Sequence, residues 1–234
     1  MIPEVFIASV PWRKAELEAI LVQLKCKVHV FLDGWEPGVW PEAPDNVCVS
    51  RNHRREGPGP RWYAAAGAPD DTLALVIDDD FAIPDDYVSR CVAAYERLQA
   101  PFSWCGGAKD GRYLPSNVVT PEDVPLGCLG AGLACVPSKL LRGMTNDPDA
   151  AEFLGYLGHD EAFVSWWLGE QPLWRPRGFS GVQSTKAQYD ARSQFKSAGD
   201  RLIPLHNRLV ARGWKMPVLV PRAKAPQLGP QGGR

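Results

Sequence analysis

Hydrophobic and polar positions alternate between two periods along the first hundred residues. Glu4–Ser9 carries apolar Val5, Phe6 and Ile7 and reads as a strand, broken by Pro11 and Trp12. Leu17, Ile20, Leu21 and Leu24 then recur at i, i+3, i+4 and i+7, the stripe of an amphipathic helix. Lys27–Leu32 is a second strand, so the segment is a βαβ unit and its strands are parallel. Asn46–Ser50 is a third short strand. Arg61–Gly67 reads as a short helix leading into Leu73–Ile77, an unbroken apolar run typical of a buried strand. After it, Val88, Cys91, Val92 and Tyr95 return to helical spacing on a helix ending at Leu98. Pro84 suits the first turn of that helix, and Asp85 and Asp86 suit its positive dipole end.

Past Pro101 the pattern is less regular. Phe102–Cys105 and Leu133–Val136 read as strands, with a flexible glycine stretch, Gly127–Gly132, between them. That stretch contains a GxG, but no first βα unit frames it as a dinucleotide turn. Pro137–Leu141 starts a helix, Asn146–Ala150 is a loop, and Gly158-His159-Asp160-Glu161 opens a helix carrying Phe163, Trp166 and Trp167. Leu173–Arg175 reads as a last strand. Ser180–Ala198 is polar and poorly patterned, as a mobile loop is. Arg201–Arg212 reads as a helix burying Leu202, Leu205 and Leu209. The pattern predicts an α/β fold in one domain, residues 1–221, followed by a disordered tail, 222–234.

Composition narrows the partners. The formal net charge of −1 gives no global basic field for nucleic acid or anionic membrane. No run is long enough to cross a membrane, and the N-terminus lacks the basic region and apolar core of a signal peptide. The six cysteines contain no CxxC pair and read as reduced thiols of a cytoplasmic protein.

The candidate chemistry lies at the end of the buried strand. Asp78, Asp79 and Asp80 follow Leu73–Ile77 directly. Carboxylates at the end of a buried strand repel one another and are costly to desolvate. A divalent cation removes that cost, and Mg2+ and Mn2+ take one or two carboxylates and complete their shells with water and phosphate oxygens. Ligands of open α/β sheets bind at the carboxyl ends of the strands. The triplet therefore reads as a metal site for a phosphorylated substrate, with a solvated acidic turn as the alternative. Asp33 ends the second strand, as a ligand contact or as a turn residue before Gly34. Asp160, at a helix start, is a candidate general base or a simple N-cap.

The order of these features resembles a GT-A fold glycosyltransferase. The resemblance runs from about Val5 to His206 and is most specific at Leu75–Tyr87, which resembles the DXD segment of that superfamily. It implies a Rossmann-like, mostly parallel sheet flanked by helices. It further implies Asp33 and Arg51 at the nucleotide, Asp78 beside the ribose or a metal-bound water, Asp79 as a further cofactor-binding residue, and Asp80 on Mn2+ or Mg2+. Asp160 corresponds to the base of inverting members, although His159 stands where that family has a Glu. His206 is the candidate for a further metal ligand. The expected donor is a nucleoside-diphosphate sugar, a UDP-sugar first, and the acceptor is a hydroxyl. A hydroxymethylated base in DNA is one acceptor suggested by Arg51, Arg54, Arg55 and Arg61, interleaved with His53, Trp62 and Tyr63. Trp104, Trp166 and Trp167 are candidates for shaping an acceptor pocket or for core packing. Two other readings are a sugar-phosphate nucleotidyltransferase and a non-catalytic nucleotide- or glycan-binding module. The first needs a glycine-rich loop after the first strand, where this chain has Ser9-Val10-Pro11-Trp12-Arg13-Lys14.

Overall fold

The computed structural model describes residues 1–52, 56–109, 112–130, 132–155, 159–178, 182–184 and 207–214. In chain order the elements are β1 (Ile2–Ser9), α1 (Lys14–Leu21), β2 (Lys27–Leu32), β3 (Val47–Arg51), α2 (Gly59–Gly67), β4 (Thr72–Asp78), β5 (Phe81–Ala82) and α3 (Tyr87–Leu98). They continue as β6 (Phe102–Ser103), β7 (Gly106–Ala108), β8 (Tyr113–Leu114), β9 (Val124–Leu129), β10 (Leu133–Pro137), α4 (Ala150–Leu154), α5 (His159–Leu168), β11 (Leu173–Arg175) and β12 (Gln183–Ser184).

Among the described residues ten strands form one mixed sheet in the order β3-β2-β1-β4-β10-β6-β11-β9-β7-β8. The first four are parallel, β10 runs antiparallel to β4, and β5 and β12 pair separately. The chain moves outward from β1 to β2 and β3, then returns to β4 on the other side of β1. The switch point of the topology thus falls between β1 and β4, where α/β sheets open a crevice at their carboxyl ends.

Strand alternation sorts the core onto the two faces of this sheet. Val5, Ile7, Val28, Val30, Leu75 and Ile77 pack with Leu17 and Leu21 of α1 and Cys91 of α3. Phe6, Ala74, Val76 and Val136 pack with Trp62 of α2, Phe153 of α4 and Phe163 of α5. β4 is buried on both faces, which explains its unbroken apolar run. Each fully buried Leu or Ile there contributes about 1.5–3 kcal/mol of transfer free energy.

Several expected boundaries shift. Gly127, Cys128 and Leu129 belong to β9 and are not a loop, because β9 pairs with both β11 and β7. Glycine serves this region because the backbones crowd: a Cβ on Gly106 would lie 2.4 Å from the Cys128 carbonyl oxygen, and Gly106 has φ +144°. The helix expected from Pro137 is a single 3-10 turn, Ser138–Leu141, and the helix expected from Arg61 already starts at Gly59. Residues 207–211 are helical and Leu209 is buried, as the C-terminal periodicity predicts. His206, the remainder of that helix, most of Ser180–Ala198 and the tail from Arg222 lie outside the described residues. No helix among the described residues is long and apolar enough to cross a membrane.

Candidate functional site

The carboxyl ends of β1, β2 and β4 are held level by their pairing. Ser9 aligns with Leu32 and Ala8 with Asp78, and the Asp33 amide donates to the Ser9 carbonyl at 2.8 Å. Asp33 and the acidic triplet therefore stand along one rim. Asp33 is buried, and its Oδ1 accepts the Glu56 amide at 2.8 Å, which ties the β3–α2 connection to this rim. Trp35 donates its indole N–H to the Ser9 carbonyl at 3.1 Å and packs beneath the same edge.

The three acids of the triplet have different surroundings. Asp79 turns inward to Arg13, whose guanidinium donates to Oδ1 at 2.6 Å, and the Val10 amide donates to Oδ2 at 3.3 Å. Burial pushes its carboxyl up and Arg13 holds it down. Asp80 lies 3.3 Å from the other end of the Arg13 fork, and its buried Oδ1 has no hydrogen-bond partner among the described residues. Burial first, then the neighbouring Asp78 and Asp79 charges, push the Asp80 carboxyl up to about 7 against the pull of Arg13. Asp78 is the one member whose side chain is partly open, at 26%. It bonds Arg61, and the Asp78 amide donates to the Gly132 carbonyl at 3.0 Å. A Cβ on Gly132 would lie 2.4 Å from Asp78 Oδ2, so only glycine fits there.

Asp160, in the first turn of α5, joins this cluster through α2. Its Oδ2 accepts from Arg61 at 3.0 Å and from the indole N–H of Trp62 at 2.9 Å. Burial pushes its carboxyl up, and Arg61 and Trp62 oppose that rise. For Arg61, burial acts to lower its pKa, but Asp78 and Asp160 outweigh it and hold the guanidinium above its ordinary value.

Four carboxylates (Asp78, Asp79, Asp80 and Asp160) thus face two guanidiniums (Arg13 and Arg61), leaving a formal charge of −2 in a largely buried cluster. That excess and the unpartnered Asp80 oxygen fit one divalent cation. Among the described residues no three His, Cys, Asp or Glu side chains converge as metal ligands. Mg2+ or Mn2+ held by Asp80, or by Asp80 and Asp78, would complete its shell with water and phosphate oxygens.

Arg13, Arg61 and Trp62 are the contacts that sequence reasoning does not place. Arg13 ends the 3-10 turn Pro11–Arg13 after β1 and closes on Asp79 and Asp80. Arg61 and Trp62 were expected on a basic, stacking surface, yet both are fully buried and the structure removes them from it. The available signal was their position at the start of the helix that precedes the acidic strand. Arg51 lies on the edge strand, its guanidinium 4.8 Å from the Trp40 ring centroid and donating to the Val39 carbonyl at 3.0 Å. Trp104 is buried edge-on to Phe102 and donates its indole N–H to Cys91 Sγ at 3.4 Å. Trp167 donates to the Leu140 carbonyl at 3.1 Å. Trp166 lines a separate cavity of about 500 Å3 near the C-terminal end of α5, with Trp214, Lys109 and Glu170.

No family model and no curated protein matches the sequence. Solved structures do match. S. aureus TarS 1–349 superposes with a TM-score of 0.54 at 17% identity, over 79% of this chain and 60% of that one. The fold is GT-A-like α/β. The same TarS fragment in complex with UDP-GlcNAc matches with a TM-score of 0.51 at 14% identity, over 80% of this chain and 59% of that one. GalNAc-T7 with UDP, GalNAc and Mn2+ matches with a TM-score of 0.50 at 12% identity, over 74% of this chain and 42% of that one. The chain spans about 60% of the length of the TarS structure. At these identities the likeness is one of fold, and in the GT-A-like fold found here the acidic rim occupies the switch-point crevice.

Proposed function

We propose that this chain is a divalent-metal-dependent glycosyltransferase using a nucleoside-diphosphate sugar, with a UDP-sugar as donor. One observation carries the reading: the buried acidic rim at the switch point keeps a formal −2 charge and an unpartnered Asp80 oxygen. The fold likeness to one structure in complex with UDP-GlcNAc and to another with UDP and Mn2+ supports it.

Asp80 would hold the metal, and Asp78, the open carboxylate, would meet the ribose or a metal-bound water. Asp79 anchors Arg13 and so keeps the rim folded around its own charge. Asp33 and Arg51 bind the nucleotide from the β2 and β3 ends. A bound Mn2+ or Mg2+ supplies Lewis-acid neutralisation of the leaving diphosphate. Asp160 is the candidate base for the acceptor hydroxyl, but its side chain is 1% exposed and held by Arg61 and Trp62, so it meets an acceptor only when the contact between α2 and α5 opens. The acceptor contributes a hydroxyl. A hydroxymethylated base in DNA is one such acceptor, and its surface support is smaller now that Arg61 is known to be internal.

The test is release of UDP from a panel of UDP-sugars with Mn2+ or Mg2+, with and without candidate acceptors. Release is expected to require the metal, to vanish in Asp80→Ala and to fall about 10²–10⁴-fold in Asp160→Asn, the usual contribution of a general base. No release from any UDP-, GDP- or dTDP-sugar overturns the reading. Duplex DNA binding that weakens steeply with salt supports the DNA acceptor, and no binding at low salt removes it.

A further inference from the structure

We infer that Arg61 is a positioning residue that carries donor binding at Asp78 to the base carboxylate of Asp160. The inference rests on the donor reading above and adds a coupling between its two halves.

Arg61 is fully buried and sits between the two acids. One end of its guanidinium donates to Asp78 and to the Ile77 carbonyl at 3.4 Å, and the other end donates to Asp160 at 3.0 Å. The guanidinium is a rigid planar fork, so a shift at one end moves the other. Exposure within the trio is uneven: the Asp78 side chain is 26% open, against 2% for Arg61 and 1% for Asp160. A ligand entering the crevice reaches Asp78 and not the other two. Any hydrogen bond or charge it brings there competes with Arg61 for that carboxylate, and the fork then gives more of its charge to Asp160.

Trp62 makes the far end of this chain readable. It neighbours Arg61 on α2 and donates its indole N–H to the same Asp160 oxygen at 2.9 Å. Consecutive residues of one helix thus pinch one carboxylate from two directions. The indole N–H is fully buried and separated from the crevice by Arg61 and Asp160, so it senses the donor through them. A coupling of this kind is reciprocal, with donor binding and Asp160 placement each biasing the other.

The test is nuclear magnetic resonance of the 15N-labelled indole groups of the whole chain. Nine tryptophans give nine resonances, and Trp62→Phe assigns the one from Trp62. UDP with Mg2+, which is diamagnetic, is titrated to saturation, and binding is followed independently by calorimetry. The Trp62 resonance is expected to shift by more than its line width in the wild type. In Arg61→Lys, whose ammonium cannot span both acids, UDP is expected still to bind while the Trp62 resonance stays in place. Asp78→Asn is a second arm that does not require altering a buried cation: it is expected to move the Trp62 resonance with no ligand present. Saturating UDP that leaves the wild-type Trp62 resonance unmoved overturns the coupling alone. So does a shift equal in wild type and Arg61→Lys, or an unmoved resonance in Asp78→Asn. Absence of UDP binding to the wild type overturns the donor reading and this inference with it.

Discussion

Asp80 carries an internal conflict that makes it both the proposed metal ligand and a weak point of the fold. Its carboxyl is pushed up to about 7, well above the value of about 4 for an unfolded Asp. The folded state therefore binds the extra proton between about pH 4 and 7, so this group's contribution favours the fold at low pH and is lost as pH rises through that window. Asp80→Asn removes the buried charge. At pH 8 without metal it is expected to stabilise the protein by about 1–3 kcal/mol while abolishing metal-dependent nucleotide binding. Thermal unfolding of both forms checks this, and an Asn variant less stable than wild type at pH 8 contradicts it. The same titration sets the pH dependence of metal affinity, because the ligand must be deprotonated. Metal-dependent UDP affinity is expected to be about tenfold weaker at pH 6 than at pH 8. Gly132→Ala is a further residue-scale test. Its Cβ would fall 2.4 Å from Asp78 Oδ2 and 2.7 Å from the Phe81 ring, so a loss of about 1–3 kcal/mol is expected, with weaker UDP binding.

Elements differ in how openly their sequences declare them. β1, α1, β2, β4 and α3 were legible because each buries a continuous stripe or run, and period alone locates them. In the second half β6, β10, β11 and α5 were read, but β7 and β8 were not, since segments of two or three residues cannot show a period. β9 was hidden by Gly127, which reads as a loop until its two strand partners are seen. The acidic rim was legible because a run of carboxylates after a buried strand has few physical resolutions. Its countercharges were not, since Arg13 and Arg61 lie 66 and 17 residues from their partners Asp79 and Asp78 and look like surface arginines. β4 is the element on which the rim depends. Leu75→Ala, fully buried on the face that packs against α1 and α3, is expected to cost about 2–5 kcal/mol. A chemical-denaturation series measures this, and a loss under 1 kcal/mol contradicts the central place given to the strand.

At the scale of the molecule, the parallel half of the sheet supplies the crevice and the mixed half supplies a buttress behind it. β10 continues the sheet antiparallel from β4, and its preceding turn meets Asp78 through Gly132. Residues 207–214 are fastened to α4 and α5 by an arginine ladder. Arg208 bonds Asp149 and Glu152. Arg212 bonds Asp147 and Asp149 and stacks 4.0 Å from the Trp166 ring centroid. Exposed ion pairs alone contribute little, but here one guanidinium combines two carboxylates with a ring face. Arg212→Ala is expected to cost about 1 kcal/mol, read as a fall of about 2–4 °C in Tm. An unchanged Tm contradicts the fastening.

The central claim is that the acidic rim at the switch point is a metal-dependent nucleotide-diphosphate site. Calorimetric titration with UDP, with and without Mn2+, on the wild type and on Asp80→Ala tests it most directly. The account predicts binding that needs the metal and disappears in the variant. Metal-independent binding, or no binding of UDP, GDP or other nucleoside diphosphates, contradicts it and leaves Asp78–Asp80 as a structural acidic turn held by Arg13 and Arg61.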